Sequence, residues 1–463
     1  MRNLLILFMA ASLLACSKKE DKPAVDYVIF SGDIVNPAGG KLSVSGNKGV
    51  IKEFNVDENG KFSDTIKEIK EGFYNFHYGN ELSNFYLRPG FNMHLKLDPK
   101  EFDESIVYTG PGSEINNYMA KEMLRNEQID KKITYPYQAK LTEEEYVKKM
   151  DSLKQLSLKV LEEQKGIDKD FKTLQSKIIS YNWANKILMF EALKRYFTQD
   201  PTFKVSEKYP DPTRNIDLED ENMLGVPEYD QILNAHYSIL TGKELKNNKD
   251  ADFHAAFMDV VAKNTKSERI RNQLLFDFAE ENISYAEDIE TFYKTFMKYE
   301  TNEEYKKEIT KKYDQLKNLA KGKPSPKFKD YENFRGGTTS LDDFKGKYVY
   351  IDVWATWCGP CKAEIPSLKK LTNDYQGKNI VFISMSIDKK TDHEKWKNMV
   401  AKEELKGVQI FAPNDWKSDF VTSYGIRGIP RFILISPEGK IVTANAPRPS
   451  NPELRSLFTS LGI

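Results

Sequence analysis

The chain has 463 residues, room for roughly three domains of about 150 residues each, and 40% hydrophobic content gives each of them material for a core. Lys plus Arg number 69 and Asp plus Glu also 69, with the signs interspersed, so no cationic field draws in phosphate backbones and nucleic acid is excluded as a partner. Three cysteines cannot staple a disulfide scaffold, and the apolar run Leu4 to Ala15 is shorter than the ~20 residues of a spanning helix. The elements begin with an address. Met1-Arg2-Asn3 is a short positive start, Leu4 to Leu14 carries no charge, and Ala15 is a small residue before Cys16, the layout of an export signal. Residues 1–15 are expected to be the signal peptide and 16–25 a polar tether that cannot pack.

Ser12-Leu13-Leu14-Ala15-Cys16 resembles the bacterial lipobox. That resemblance implies cleavage before Cys16, a lipid on its sulfur, and a membrane-anchored lipoprotein of the bacterial cell envelope, periplasmic or outer-membrane. Ser17-Lys18-Lys19-Glu20-Asp21 is similar to the Lys-acidic clusters that direct some Gram-negative lipoproteins to the outer surface.

Three zones follow. Residues 26–112 read as an all-β, sandwich-like domain of about seven strands, with Phe91, Met93, Leu95 and Leu97 alternating with polar residues. Asn59-Gly60 between Phe54-Asn55-Val56 and Phe62 signals a hairpin. Residues 113–320 read as an α-helical domain. Thr142 and Glu145 form a capping box ahead of a helix whose face carries Leu153, Leu156 and Val160. Phe171, Leu174, Ile178 and Tyr181 share a face on another, and further helices are expected over Thr265–Glu281, Tyr285–Tyr299 and Asn302–Ala320. Pro201, Pro210, Pro212 and Pro227 break the stretch between Thr198 and Pro227. Residues 321–327 read as a linker.

From 328 to 463 strands and helices alternate as in an α/β fold. Strands are expected over Tyr348–Trp354, Asn379–Ile387, Val408–Phe411 and Arg431–Ser436, and helices over Cys358–Tyr375, Asp392–Glu403, Trp416–Tyr424 and Pro452–Leu461. The first strand runs straight into Trp357-Cys358-Gly359-Pro360-Cys361. Sulfurs three residues apart at a strand-to-helix junction can join with little backbone movement. Cys358 at the helix N-terminus meets unsatisfied N–H groups that favour the thiolate, so it should attack. Pro360 suits the first helical turn. Cys361, one turn inside, should attack only the mixed disulfide that Cys358 forms. A structural zinc site lacks a second Cys pair, and an inert disulfide over so short a loop adds little stability, which leaves a redox-active pair with no metal and no separate cofactor.

These residues resemble thioredoxin. Ile351 to Lys362 follows that family's active-site strand and helix, and Tyr424-Gly425-Ile426-Arg427-Gly428-Ile429-Pro430 is similar to its second hallmark. The resemblance implies a thioredoxin-like fold, a cis Pro430 facing the cysteines, and a backbone at Ile429 that receives an extended client peptide. With the export signal it narrows to the TlpA/ResA-like thiol-disulfide oxidoreductases, where Glu364 stands at a characteristic acidic position and the stretch between Ile387 and Trp416 looks like an insertion. By the same resemblance Asp352 lies beneath the second cysteine and is the candidate base for Cys361, with Glu364 the second candidate. A core partner or solvent contact is the alternative for Asp352.

The expectation is therefore an envelope enzyme that reduces protein disulfides, catalytic through Cys358, Cys361, Asp352 and Glu364, with Trp357, Gly359, Pro360, Ile429 and Pro430 forming the docking face. Its partners would be protein disulfide clients and a thiol protein that supplies electrons. Gly359-Pro360 is the thioredoxin pair, and the ~150 mV between thioredoxin and the oxidant DsbA is worth roughly 7 kcal/mol for two electrons, which favours a reductase. A non-catalytic adaptor lipoprotein carrying the same fold is the alternative.

Overall fold

The computed structural model describes residues 25–463 except 38, 47–48, 247–251 and 287. The expected signal peptide, Cys16 and all but the last residue of the tether lie outside the described residues. The chain divides into two compact units, one of residues up to 216 with 225–232 and one of 217–224 with 233–463.

The first unit opens with eight strands among the described residues: Val28–Ile34 (β1), Lys41–Gly46 (β2), Gly49–Asn55 (β3), Lys61–Ile66 (β4), Gly72–Tyr78 (β5), Glu81–Leu87 (β6), Asn92–Leu97 (β7) and Val107–Thr109 (β8). They form two four-stranded sheets, ordered β4-β1-β7-β8 and β3-β2-β5-β6. Alternation builds the core between them. Val28, Phe30 and Ile34 from β1 and Met93, Leu95 and Leu97 from β7 are buried, and Phe30 meets the rings of Phe54, Phe62 and Phe85 at 5.2–5.6 Å.

The Asn59-Gly60 hairpin is corrected by the sheet order. The turn exists, with Gly60 at φ 78° donating its N–H to Asp57 O, but β3 pairs with β2 and β4 pairs with β1, in opposite sheets. Gly60 is required for a different reason, since a Cβ there would stand 1.9 Å from Ile34 O.

Helices Ser113–Lys132 (α1), Glu143–Glu162 (α2) and Lys169–Thr198 (α3) follow. The capping box at Thr142 and Glu145 is present, and Asp168 caps α3 while receiving Arg88 at 2.8 Å. The apolar face expected on α2 needs correction, because Leu156 is 45% exposed while Tyr146, Met150 and Leu161 are buried. Tyr146 stacks on Phe190 of α3 at 4.2 Å, and that contact sets which side of α2 faces inward.

Asn116 of α1, only 1% exposed, accepts the Tyr86 N–H at 2.7 Å and donates to the Tyr86 carbonyl at 2.9 Å. Its amide thus pairs with the edge strand β6 as another backbone would.

The second unit carries most of Pro227–Leu245 (α4), then Phe253–Asn264 (α5), Glu268–Asn282 (α6), Ile289–Tyr299 (α7) and Glu303–Leu316 (α8). Asp252, Ser267, Asp288 and Asn302 cap the last four. Aromatic stacks join them, Phe257 on Phe278 at 4.0 Å and Tyr293 on Tyr313 at 4.1 Å. Between Thr198 and Pro227 only short 3₁₀ turns occur.

A seven-stranded sheet completes this unit: Tyr331–Asn333 (β9), Thr338–Thr339 (β10), Tyr348–Trp354 (β11), Ile380–Ser386 (β12), Val408–Phe411 (β13), Arg431–Ile435 (β14) and Ile441–Thr443 (β15), in the order β10-β9-β13-β12-β11-β14-β15. β11, β12 and β13 are parallel and β14 is antiparallel to β11. Helices Gly359–Asp374 (α9), His393–Lys402 (α10) and Pro452–Ser460 (α11) cover the two faces. Val349, Ile351 and Val353 of β11 share a cluster with Trp396 of α10, while Tyr350 packs with Leu371 of α9 and Phe458 of α11. The stretch 321–327 runs beside β15: Gly322 N–H reaches Ile441 O at 2.8 Å, Ile441 N–H reaches Lys323 O at 2.8 Å, and the Ser325 hydroxyl meets that of Tyr424 at 2.6 Å.

Asn116→Ala leaves two buried backbone groups unpaired and is expected to cost about 2–4 kcal/mol, read as a lower urea midpoint for the first unit. An unshifted midpoint would dismiss the pairing role.

Candidate active site

β11 is apolar except for Asp352, and it ends where Trp354-Ala355-Thr356 turns into α9. Asp388, fully buried just beyond β12, holds that corner. Its carboxylate accepts the Thr356 N–H at 3.0 and 3.1 Å, the Thr356 hydroxyl at 2.7 Å and the Ser386 hydroxyl at 2.8 Å. With Thr356 anchored, Trp357 projects 54% exposed and Cys358 becomes the N-cap of α9.

Cys358 and Cys361 are joined as a disulfide, with Cα atoms 5.3 Å apart. The Cys358 sulfur also accepts the Cys361 N–H at 3.1 Å, so it sits on the orphan donors of the first helical turn. Exposure does not rank the two sulfurs, since Cys358 is 4% and Cys361 5% exposed. Position does. Trp357, Gly359 and Pro360 form an exposed rim around Cys358, whereas Cys361 borders a narrow cleft under α9 that also reaches Asp352, Ser384, Lys406 and Gln409.

Asp352 is buried, and its pKa is pushed up to about 7, first by burial and then by the neighbouring Glu364 carboxylate, with Ser384 the group that favours the charged form. Among the described residues no lysine forms an ion pair with it; Lys369 and Lys406 line the same cleft. Glu364, also buried, has both oxygens engaged by Ser450, whose N–H donates at 3.0 Å and whose hydroxyl donates at 2.7 Å. Of the two carboxylates, only Asp352 lines the cleft shared with Cys361.

The Ile429–Pro430 peptide bond is cis, and Ile429 packs against the core cluster that holds both cysteines. Among the described residues neither the N–H nor the C=O of Ile429 has a hydrogen-bond partner. Trp416 stands beside Trp357, ring centroids 6.3 Å apart.

Sequence reasoning missed Asp388, Gln409, Trp416 and Arg431. Asp388 and Arg431 carry a signal akin to the one that marked Asp352, a charge in or beside an apolar strand; Gln409 and Trp416 carry none.

A Cys-x-x-Cys pair capping a helix at the end of a central strand, with a cis-proline loop packed on the same core, defines the thioredoxin-like class. The chain carries a Redoxin domain at its carboxyl end, residues 320–461 matching that family. The chain is 33% identical over 121 residues to the thiol-disulfide oxidoreductase ResA of Bacillus thuringiensis subsp. konkukian, a match covering 26% of this chain and 66% of that one. It is 31% identical over 126 residues to ResA of Bacillus subtilis, covering 27% and 66%. It thus spans just under two thirds of the length of these relatives. A solved structure of the thioredoxin domain of a thiol-disulfide oxidoreductase from Bacteroides vulgatus is 34% identical, covering 31% of this chain and 98% of that one, with a TM-score of 0.28.

The raised pKa of Asp352 sets a pH dependence of stability. Between the ordinary carboxyl value of 3.8 and about 7 the folded chain retains a proton that the unfolded chain has released, so stability falls as pH rises through that window. Asp352→Asn is expected to stabilise the oxidised protein at pH 8 by up to about 4 kcal/mol, at 1.36 kcal/mol per pKa unit, and to be near neutral at pH 4. Denaturant titrations at both pH values check this, and equal effects at the two would refute it.

Proposed function

We propose that the chain is a lipid-anchored thiol-disulfide oxidoreductase of the bacterial cell envelope that reduces disulfides in client proteins. The observation that carries this reading is the division of the cysteine pair: Cys358 caps α9 within an exposed rim, and Cys361 shares a cleft with the buried Asp352. The leader-like and lipobox-like sequence ahead of Cys16 supports the location, and the similarity to ResA proteins supports the reaction class.

The cycle starts from the dithiol. Helix-terminal N–H groups favour the Cys358 thiolate, which attacks one sulfur of the client disulfide and expels the other as a thiolate that takes up a proton. Asp352, ionised, takes the Cys361 proton. The Cys361 thiolate then attacks the Cys358 sulfur, and the second client sulfur leaves as a thiolate. One client disulfide becomes two thiols, and the Cys358–Cys361 disulfide forms. A thiol protein of the envelope returns two electrons by the same exchange run in reverse. Trp357, Gly359 and Pro360 border the attacked bond, and the unpaired backbone of Ile429 beside Pro430 receives the client as an added strand. Glu364, tied to Ser450, raises the Asp352 pKa rather than moving the proton itself.

Reduction of insulin disulfides fuelled by dithiothreitol tests the reading. Cys358→Ser is expected to abolish turnover, Cys361→Ser to accumulate a mixed disulfide with the client, and Asp352→Asn to slow resolution about 10²-fold while removing the rise in rate through pH 7. Equal rates in Cys358→Ser and wild type would overturn it.

A further inference from the structure

Arg431, the residue after Pro430, is a cation 2% exposed at the head of an apolar strand. Burial of such a charge is costly unless its donors are used. They are used by the helical segment between α6 and α7. Arg431 Nη2 donates to Ser284 O at 2.7 Å, Nε donates to Ala444 O at 2.8 Å, and the guanidinium lies 4.7 Å from the centroid of the Tyr285 ring. Three further contacts join the helices to this side of the sheet: Asn445, just after β15, reaches Tyr285 O through Nδ2 at 3.3 Å, Arg427 of the loop pairs with Glu280 of α6 at 3.1 Å, and Leu316 of α8 fills the space beside Gly425.

This clamp sets the Tyr285 side chain against Gly428. A Cβ on Gly428 would stand 3.1 Å from the Tyr285 hydroxyl, so that hydroxyl borders the loop one residue from Ile429. Tyr285 is half-buried. A strand pairing with the free N–H and C=O of Ile429 extends past the neighbouring residues of the loop, because ladder bonds recur along an added strand. It therefore runs beside Tyr285.

We infer that Tyr285 is a specificity-determining residue, a wall supplied by the helical segment that selects extended polypeptide disulfides over small ones by contacting the backbone of the client next to its cysteine. This rests on the thiol-disulfide reading above and adds a residue that the redox domain itself does not contain. A small disulfide reaches Cys358 without lying along the Ile429 strip, so its rate depends less on Tyr285.

The test uses the full chain, pre-reduced and freed of reductant, mixed with insulin or with oxidised glutathione, and follows protein oxidation over a range of substrate concentrations. Tyr285→Ala is expected to raise the half-saturating insulin concentration about 10-fold and to lower the insulin-to-glutathione ratio of second-order rate constants by a similar factor. Tyr285→Phe keeps the ring and its packing and loses only the hydroxyl, with an expected rise of about 3-fold. An unchanged ratio in both variants overturns the inference, as does an equal loss toward both substrates, which marks a disturbance of the cysteine corner. Wild-type oxidation by glutathione, lost in Cys358→Ser, stands or falls with the parent reading alone and separates the two failures.

Discussion

The placement of Cys358 depends on a carboxylate that takes no part in the chemistry. Asp388 is fully buried, and the Thr356 backbone and two hydroxyls supply its hydrogen bonds. Breaking that set would leave buried polar oxygens without partners, so the corner has one low-energy arrangement. Because Thr356 is fixed, β11 ends at Trp354 and α9 begins at Gly359, with Cys358 left at the cap. A shift of one residue would move the sulfur off the orphan N–H groups and, by helical periodicity, turn Cys361 away from the cleft.

Beneath that corner the two other buried carboxylates differ in what their oxygens meet. Both Glu364 oxygens accept hydrogen bonds from Ser450, which ties the chain before α11 to α9. Asp352 faces a strand neighbour, Ser384, and an opening toward Lys369 and Lys406. Burial first and the neighbouring Glu364 carboxylate second drive Asp352 toward protonation. Gln409 lines the cleft with a buried Oε1 that has no partner among the described residues, a polar atom positioned for water.

Much of this was legible beforehand where local and tertiary forces agree. β11 and β13 run over the residues that alternation and apolar run length marked, and α9 starts one residue after the expected position because Cys358 is its cap rather than its first turn. The cysteine spacing also marked the pair that is joined as a disulfide. Elements fixed by distant partners were not legible. β9, β10 and β15 have two or three residues, too few for any period, and exist because a sheet edge was there to pair with. Asn59-Gly60 made a turn as its residue types demand, but the choice of sheet for β4 belongs to β1, some thirty residues upstream on the order of the sequence. Leu156 fits a helical stripe and is exposed all the same, since the Tyr146–Phe190 stack decides the rotation of α2. α4 and α5 escaped notice because α4 mixes polar and apolar residues around its circumference without a clear stripe.

Arg431 shows how a departure from local logic marks a functional junction. A strand that is otherwise Phe432-Ile433-Leu434-Ile435 would be better served at its first position by another apolar residue, and the cation is tolerated because Ser284, Ala444 and the Tyr285 ring receive it. The same contacts make the helical segment part of the wall beside the cis-proline loop, so the two cannot move independently without exposing a buried guanidinium to an unpaired environment. The Ile283–Tyr285 turn thereby holds Arg431, and Arg431 opens β14 two residues after Ile429, the position proposed above to receive the client.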